Sequence, residues 1–142
     1  MKKARERFGA RMMLRWNSAR ELIRTIRAGE PLKISPDMDF GLCDSEFAPF
    51  FGVQACTLAS VSRLARATGA AIVPVTAEML PVYQGYVLHI LPAWTDFPGD
   101  TVQSDLRRMN AYFESRILPD PAQYYWVHKR FKTRPDGAPT IY

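Results

Sequence analysis

Two aspartates, Asp37 and Asp39, form the acidic pair whose spacing best suits chemistry. Because side chains two positions apart on an extended segment point to one side, both carboxylates can face the same substrate. Such a pair can hold a metal, position an arginine, or accept hydrogen bonds from a substrate amide or hydroxyl. It can equally close a turn through hydrogen bonds to nearby backbone N–H groups. No third metal ligand follows at a recognisable spacing, so we expect no metal site here.

The two histidines, His89 and His128, lack the neighbour that a catalytic base usually has. A histidine that abstracts a proton is commonly oriented by a carboxylate. The residues five positions after them are Trp94 and Thr133, and no acid follows either histidine at helical or turn spacing. We therefore interpret His89 as a partly buried strand residue and His128 as a member of a basic cluster.

That basic cluster lies at 128–134, around Phe131. Its five potentially cationic side chains are His128, Lys129, Arg130, Lys132 and Arg134. Phosphate recognition by lysine and arginine requires such a density of donors. The neighbouring aromatic residues 124–126 could equally stack on nucleic-acid bases, and a simple solvated basic tail is the third interpretation.

The net charge of +5 is unevenly distributed along the 142 residues. Residues 1–29 carry nine Lys or Arg and two acids, residues 30–127 carry six and eleven, and residues 128–142 carry four and one. A basic head and a basic tail around an acidic middle predict contact with anions at two places. With 47% hydrophobic and 23% charged residues, the composition is that of one globular domain.

Several classes of protein are excluded by composition. The apolar segment 47–62 is the strongest candidate for a membrane-spanning helix, but Pro49, Gly52 and Gln54 interrupt it. That segment could instead line an acyl chain, lie against lipid, or form core. We also expect no secretory signal, because no apolar run follows the N-terminal lysines. Two cysteines without metal-ligand spacing suggest a reducing compartment.

The elements that must position these residues alternate between helix and strand. A helix is predicted over 18–28, with a capping box between Ser18 and Glu21 and a stop at Gly29. We predict strands over 31–35, 70–80 and 85–93, with the aspartate pair at the end of the first. Helices are predicted over 55–67 and 102–117, the latter capped by Thr101. This order is typical of the α/β class, although three strands are few for a self-sufficient sheet.

Several strings together resemble one protein family. They are SPDMDFG (35–41), FAPFFG (47–52), SRLAR (62–66), RMN (108–110) and, above all, QYYWVHKRFKTRP (123–135). In order and spacing they are similar to the carboxyl-terminal half of the bacterial lipid A biosynthesis acyltransferases, the lauroyl and myristoyl transferases related to glycerol-phosphate acyltransferases. The segment around Gly9 resembles the one that supplies the family's active-site arginine, with Arg7 the better match and Arg5 the alternative.

This resemblance implies a fold and a reaction. The fold would be α/β, the carboxyl-terminal half of a glycerol-phosphate-acyltransferase-like αβα sandwich, with 1–142 as a single partial domain. The reaction would transfer a fatty acyl group from an acyl carrier protein thioester to a lipid A precursor, without a cofactor, at the cytoplasmic face of the bacterial inner membrane. Arg7, Asp37 and Asp39 would support the site, and the basic cluster at 128–134 would contact substrate phosphates.

The resemblance also identifies what the chain departs from. The family's general base is a histidine with an acid five positions later, and neither histidine here has that neighbour. An amino-terminal anchor is likewise expected of the family and not found in the sequence. We therefore expect the chain to be a fragment without measurable activity and with poor solubility. Near the aspartates, Gly41 is followed by Leu42 where the family usually has a proline, which puts local substrate geometry in doubt.

Two other functions remain open. A non-catalytic module that binds anionic lipid or acyl carrier protein would use the same basic surfaces, and the arginine-rich helix at 18–28 would be its docking face. A nucleic-acid-binding domain would use the aromatic residues 124–126, but we expect no nucleic-acid partner.

Overall fold

The computed structural model describes residues 2–13 and 19–142. They belong to two compact units, Met1–Leu32 and Lys33–Tyr142. The interpretation of 1–142 as one partial acyltransferase domain stays a prediction.

The first unit contains two helices, α1 (Lys2–Glu6) and α2 (Ala19–Arg27). Helix α2 ends as the sequence predicts, because Gly29 takes a left-handed conformation with φ of 82°. The N–H of Gly29 donates to the carbonyl of Ile26, and the N–H of Glu30 donates to that of Thr25. This pair of hydrogen bonds is the Schellman arrangement that satisfies the last carbonyls of a helix. The predicted cap, Ser18, lies outside the described residues.

The second unit begins with a tight hairpin of β1 (Ser45–Phe50) and β2 (Val53–Leu58). Its two connecting residues, Phe51 and Gly52, both have positive φ, at 48° and 75°, which is typical of a type I′ turn. The helix predicted over 55–67 is therefore wrong at its start, since 55–58 belongs to β2. A short apolar run fits strand and helix equally well, and pairing with β1 decides the matter.

Helix α3 (Ser60–Thr68) follows the hairpin directly. It ends at Gly69, with φ of 71°, whose N–H donates to the carbonyl of Ala65. Its inner face is buried and its arginines are exposed; the buried members are Val61, Ser62, Leu64 and Ala65.

A second hairpin pairs β3 (Val75–Met79) with β4 (Tyr86–Ile90), and both strands are shorter than predicted. Pro74 directly precedes β3 and limits it, because proline has no N–H to donate to a ladder. The strand predicted over 31–35 is wrong: no strand is assigned there. Prolines at 31 and 36 bracket that segment, and Ile34 packs against the core instead of pairing with a neighbouring strand.

Helix α4 (Val102–Ile117) has the predicted bounds. The Thr101 hydroxyl accepts a hydrogen bond from the Ser104 N–H at 3.0 Å, and the Ser104 hydroxyl accepts one from the Thr101 N–H at 3.3 Å. This reciprocal capping box satisfies two of the amides that a helix start leaves unpaired.

The described chain thus contains helices and two separate antiparallel sheets of two strands each. Their order is mixed α and β, and the αβα sandwich stays a prediction. Two buried clusters form the core. The first contains Ala48, Val61, Leu106 and Met109, and the second contains Phe50, Ala55 and Ile117. Of the alternatives for the apolar segment 47–62, core formation is therefore the one that the burial supports.

Helix α4 covers the free edge of β1 with a row of polar side chains. Gln103 donates to the carbonyl of Phe47, and both Arg107 and Asn110 donate to the carbonyl of Pro49. Steps of four and three residues keep this row on one face of the helix. Backbone acceptors that a sheet edge would leave unpaired are satisfied in this way.

Within residues 2–13 and 19–142, no helix has both the length and the apolar character needed to cross a membrane.

Candidate functional site

Asp39 holds the 35–41 loop to the carboxyl-terminal segment. One carboxylate oxygen accepts from the Gly41 N–H and from the Thr133 hydroxyl, both at 2.9 Å. The other accepts from the Thr133 N–H, also at 2.9 Å. The side chain is almost fully buried. The turn-closing interpretation of this aspartate is therefore confirmed, and its second partner lies 94 positions away in sequence.

Asp37 is the more accessible member of the pair. Its side chain is half-buried and lies beside Tyr124 and Arg130. Burial of the Tyr124 phenol, together with the negative charge of Asp37, raises the pKa of Tyr124 well above its ordinary value. The phenol therefore stays protonated, and Asp37 is the less buried carboxylate of the pair.

Arg130 is at the centre of this region and is fully buried, with 0% exposure. Its guanidinium donates to the carbonyl of Cys56, to the Thr57 hydroxyl at 2.8 Å, and to the Asn110 amide oxygen at 3.3 Å. It also lies over the ring of Phe50, 5.0 Å from the centroid. One side chain thus joins the carboxyl-terminal segment to β1, β2 and α4.

The charge of Arg130 is compensated by its surroundings. Burial lowers the pKa of Arg130, and the negative charges of the nearby Asp37 and Asp39 oppose that change. Taking an isolated cation out of water costs several kcal/mol, so such a group is stable only when hydrogen bonds and opposite charges surround it. The two aspartates are therefore the carboxylates whose charges offset the burial of Arg130, and their role in positioning it stays a prediction.

The burial of Arg130 corrects one sequence expectation. A fully buried guanidinium that donates to Cys56, Thr57 and Asn110 is not presented to a substrate phosphate. We assign it a positioning role instead.

The other members of the basic cluster differ in exposure. Lys129 and Lys132 are exposed, and the ammonium of Lys129 lies 5.6 Å from the ring centroid of Tyr142. Arg134 is half-buried and donates to the carbonyl of Gln54 at 2.7 Å. The ring of the half-buried His128 contacts the carbonyl of Tyr125. The two lysines are therefore the members of the cluster best placed for an external anion.

The aromatic residues before the cluster pack against one another. The rings of Tyr124 and Trp126 are 4.8 Å apart, and the ring of Tyr125 stacks on His128 at 6.0 Å. The indole N–H of Trp126 donates to the carbonyl of Pro121. The three aromatic residues therefore pack within their own segment. Stacking on nucleic-acid bases is not needed to explain them.

Arg7 and its alternative Arg5 lie in the first unit, and both side chains are exposed. The guanidinium of Arg7 lies over the ring of Phe8, 4.4 Å from its centroid. Arg11 in the same unit is engaged internally, since it donates to the Thr25 hydroxyl and pairs with Glu21. The role of Arg7 in an active site stays a prediction.

His89 has a carboxylate partner that sequence spacing did not reveal. Its ring nitrogen lies 2.8 Å from a carboxylate oxygen of Glu78, on the neighbouring strand of the second hairpin. The partner comes from a strand pairing rather than from helix or turn spacing. Among the described residues, no group of three or more His, Cys, Asp or Glu side chains is arranged to hold a metal ion.

Sequence reasoning missed the residues that hold Arg130. Asn110 is the clearest case, because it is a fully buried amide beside the apolar Leu106 and Met109 on the buried side of α4. Thr57 lies within an apolar strand and is likewise fully buried. A polar residue at a core position requires a hydrogen-bonding partner. That requirement was the signal by which Asn110 and Thr57 could have been found.

We predict that Arg130→Met destabilises the chain by about 3 kcal/mol, because methionine fills a similar volume but leaves buried acceptors unpaired. The matched control is Lys132→Met, which removes one exposed cation from the same segment and should change stability by less than about 0.5 kcal/mol. Urea unfolding followed by tryptophan fluorescence measures both. Equal unfolding free energies for the two variants would contradict the assignment of Arg130.

The two cysteines should differ in reactivity. Cys56 is fully buried, and its thiol donates to the carbonyl of Gly41. Burial, and to a smaller extent the negative charge of Asp39, raises the pKa of this thiol. Cys43 is exposed. Because the thiolate is the reactive form, we expect a chromogenic disulfide reagent to modify Cys43 rapidly and Cys56 only after denaturation. Rapid native-state modification in Cys43→Ser would show that Cys56 is accessible.

Comparison with known proteins assigns the chain to a family. Residues 1–133 match the model of the bacterial lipid A biosynthesis acyltransferases. The chain is 38% identical over 131 residues to the lipid A biosynthesis palmitoleoyltransferase of Escherichia coli (strain K12), covering 92% of this chain and 42% of the relative. The lauroyltransferase of the same organism is also 38% identical, with 92% and 43% covered, and its myristoyltransferase is 33% identical, with 94% and 41% covered.

The chain therefore spans about two-fifths of the length of these curated relatives. The resemblance seen in the quoted strings is confirmed by the family match and by the identities. The chain belongs to the bacterial lipid A biosynthesis acyltransferase family.

Proposed function

We propose that the chain is the substrate-recognition portion of an enzyme that transfers a fatty acyl group from acyl carrier protein to a lipid A precursor. The observation that carries this proposal is the family match over 1–133, together with relatives named for palmitoleoyl, lauroyl and myristoyl transfer. The reaction would take place at the cytoplasmic face of the bacterial inner membrane.

Asp37 and the exposed lysines are the residues to which we assign contacts with substrate. Asp37 is half-buried beside a protonated phenol and a compensated guanidinium, which fix its surroundings before any substrate arrives. Lys129 and Lys132 present ammonium groups that suit the phosphates of a lipid A precursor. Asp39 and Arg130 position these groups rather than contacting substrate, because both are buried.

Acyl carrier protein would be recognised by the first unit. Helix α2 exposes Arg20, Arg24 and Arg27 opposite its half-buried apolar residues. A row of cations of this kind attracts an acidic protein partner. We propose that Arg7 belongs to the same donor-binding region.

The base that removes the acceptor hydroxyl proton would come from outside these 142 residues. Neither histidine is followed by an acid five positions later. The pair of His89 and Glu78 is the nearest equivalent in the described chain, but it lies on the second hairpin and bonds across two strands. Cross-strand pairs of this type commonly stabilise a hairpin without any catalytic role.

The test is a chimera that joins this chain to the portion of the Escherichia coli palmitoleoyltransferase that the match leaves uncovered. We expect acyl transfer from acyl carrier protein to lipid A precursor by the chimera and none by the chain alone. In the chimera, Asp37→Asn should lower kcat/KM about a hundredfold, because a positioned charge is lost while the side-chain size is kept. Asp44→Asn is the matched control, since Asp44 is exposed and pairs with Arg63.

Two outcomes would contradict the proposal. A folded chimera without transfer would favour the non-catalytic module. Turnover by the chain alone would mean that a base lies within it, and loss of that turnover in His89→Gln would identify the base.

A second candidate function is a non-catalytic module that binds anionic lipid, and the exposure of Lys129 and Lys132 favours it. Each basic residue near an anionic surface contributes about 1 kcal/mol, so we expect Lys129→Ala with Lys132→Ala to weaken binding to phosphatidylglycerol vesicles about thirtyfold at low salt. Lys33→Ala with Arg116→Ala removes two other exposed cations and serves as control. Equal vesicle affinity of the two double variants would exclude a lipid-binding surface formed by Lys129 and Lys132. A vesicle affinity that does not change with salt would exclude it as well.

A further inference from the structure

One face of the second hairpin is entirely apolar and exposed. Residues opposite each other in an antiparallel pair place their side chains on the same face. The register pairs Val75 with Ile90, Ala77 with Leu88, and Met79 with Tyr86. All six side chains are exposed, with 60% exposure for Leu88 and 67% for Ile90. A contiguous apolar patch of this kind marks an interaction site.

The opposite face of the same hairpin is more polar. It carries the ion pair of Glu78 with His89, next to Thr76 and Val87. Val87 is the one large apolar side chain there, with 37% exposure. The two faces of the hairpin therefore differ in chemistry, and only the first face consists entirely of apolar residues.

The backbone edge of β4 is also available. Hydrogen bonds close the ladder at Leu91 to Pro74 and at Leu80 to Gly85. Because hydrogen-bonded pairs alternate along an antiparallel ladder, the N–H and C=O groups of Tyr86, Leu88 and Ile90 point away from β3. No further strand lies beside β4 in the described part of the chain.

The outer edge of β3 differs from that of β4. Gln123 occupies its end at Met79, since the Gln123 side-chain amide accepts from the Met79 N–H at 2.8 Å and donates to the Met79 carbonyl. Among the described residues, no side chain pairs with the β4 edge in this way, so we take the β4 edge, beside the apolar face, as the docking edge.

The chemistry of this surface indicates a protein as its partner. Hydrocarbon offers no hydrogen bonds, so lipid would leave the free backbone groups of β4 unsatisfied. Residues 75–90 contain no lysine or arginine, so the hairpin offers nothing to anionic headgroups. An added strand together with an apolar cover would satisfy both the edge and the face.

We propose that β4 and the apolar face of the hairpin dock onto the portion of the acyltransferase that the match to the relatives leaves uncovered. More than half the length of those relatives lies outside the match, which provides a partner large enough to supply both strand and cover. The inference rests on family membership and not on acyl transfer, so the two proposals can fail separately.

The test is co-expression of the tagged 142-residue chain with the uncovered portion of the Escherichia coli lauroyltransferase, followed by purification in mild detergent. We expect the two polypeptides to co-purify. Leu88→Asp, which places a charge on the apolar face, should reduce the recovered partner at least tenfold. Val87→Asp is the matched control, because it places the same charge on the opposite face of the same strand and should leave recovery unchanged.

Hydrogen exchange on the chimera described above provides a second measurement in a single polypeptide. The amides of Leu88 and Ile90 should exchange at least tenfold more slowly in the chimera than in the chain alone, whether or not the chimera transfers acyl groups. Equal exchange in both would overturn the inference. Equal recovery of partner by Leu88→Asp and Val87→Asp would also overturn it. A dimer of the chain that depends on Leu88 and persists in the presence of the partner would overturn it too. Vesicle binding with the same two properties would have the same consequence.

Discussion

The buried guanidinium of Arg130 is the group around which the second unit is organised. It comes from the carboxyl-terminal segment, yet its hydrogen bonds end on β2 and α4 and its plane lies over Phe50 of β1. A cation in this position is costly unless hydrogen-bond acceptors and opposite charges surround it. The charges of Asp37 and Asp39 oppose the effect of burial on the pKa of Arg130.

The candidate site follows from this arrangement. Asp39 is used to fasten the loop to Thr133, and that leaves Asp37 as the more accessible carboxylate. Lys129 and Lys132, on either side of Arg130 in the sequence, are exposed although Arg130 itself is buried. The region therefore combines a fixed carboxylate with exposed cations that suit anions.

Local signals account for the parts of the fold that the sequence predicted. The bounds of α4 follow from a 3.6-residue apolar period and from the Thr101 cap, and the end of α3 follows from Gly69. The first hairpin was missed because an apolar run carries no unambiguous period and because the turn uses Phe51, a residue that rarely adopts positive φ.

The site was only partly predictable, because its contacts are long-range. Arg130 lies 74 positions from Cys56 and 73 from Thr57, and Thr133 lies 94 from Asp39. Spacing along the chain reports neighbours within a few residues, so it grouped Arg130 with Lys129 and Lys132 as surface cations. Burial separates them, and burial depends on the whole fold.

The most direct test of this account is a double-mutant cycle between Arg130→Met and Asn110→Ala, measured by urea unfolding of the full chain. The Arg130 guanidinium donates to the Asn110 side chain, and both side chains donate to the Thr57 hydroxyl. The effects of the two substitutions on the free energy of unfolding should therefore not add. We expect a coupling free energy of about 1–2 kcal/mol. Additive effects, with a coupling free energy of about zero, would contradict the central place of the Arg130 guanidinium.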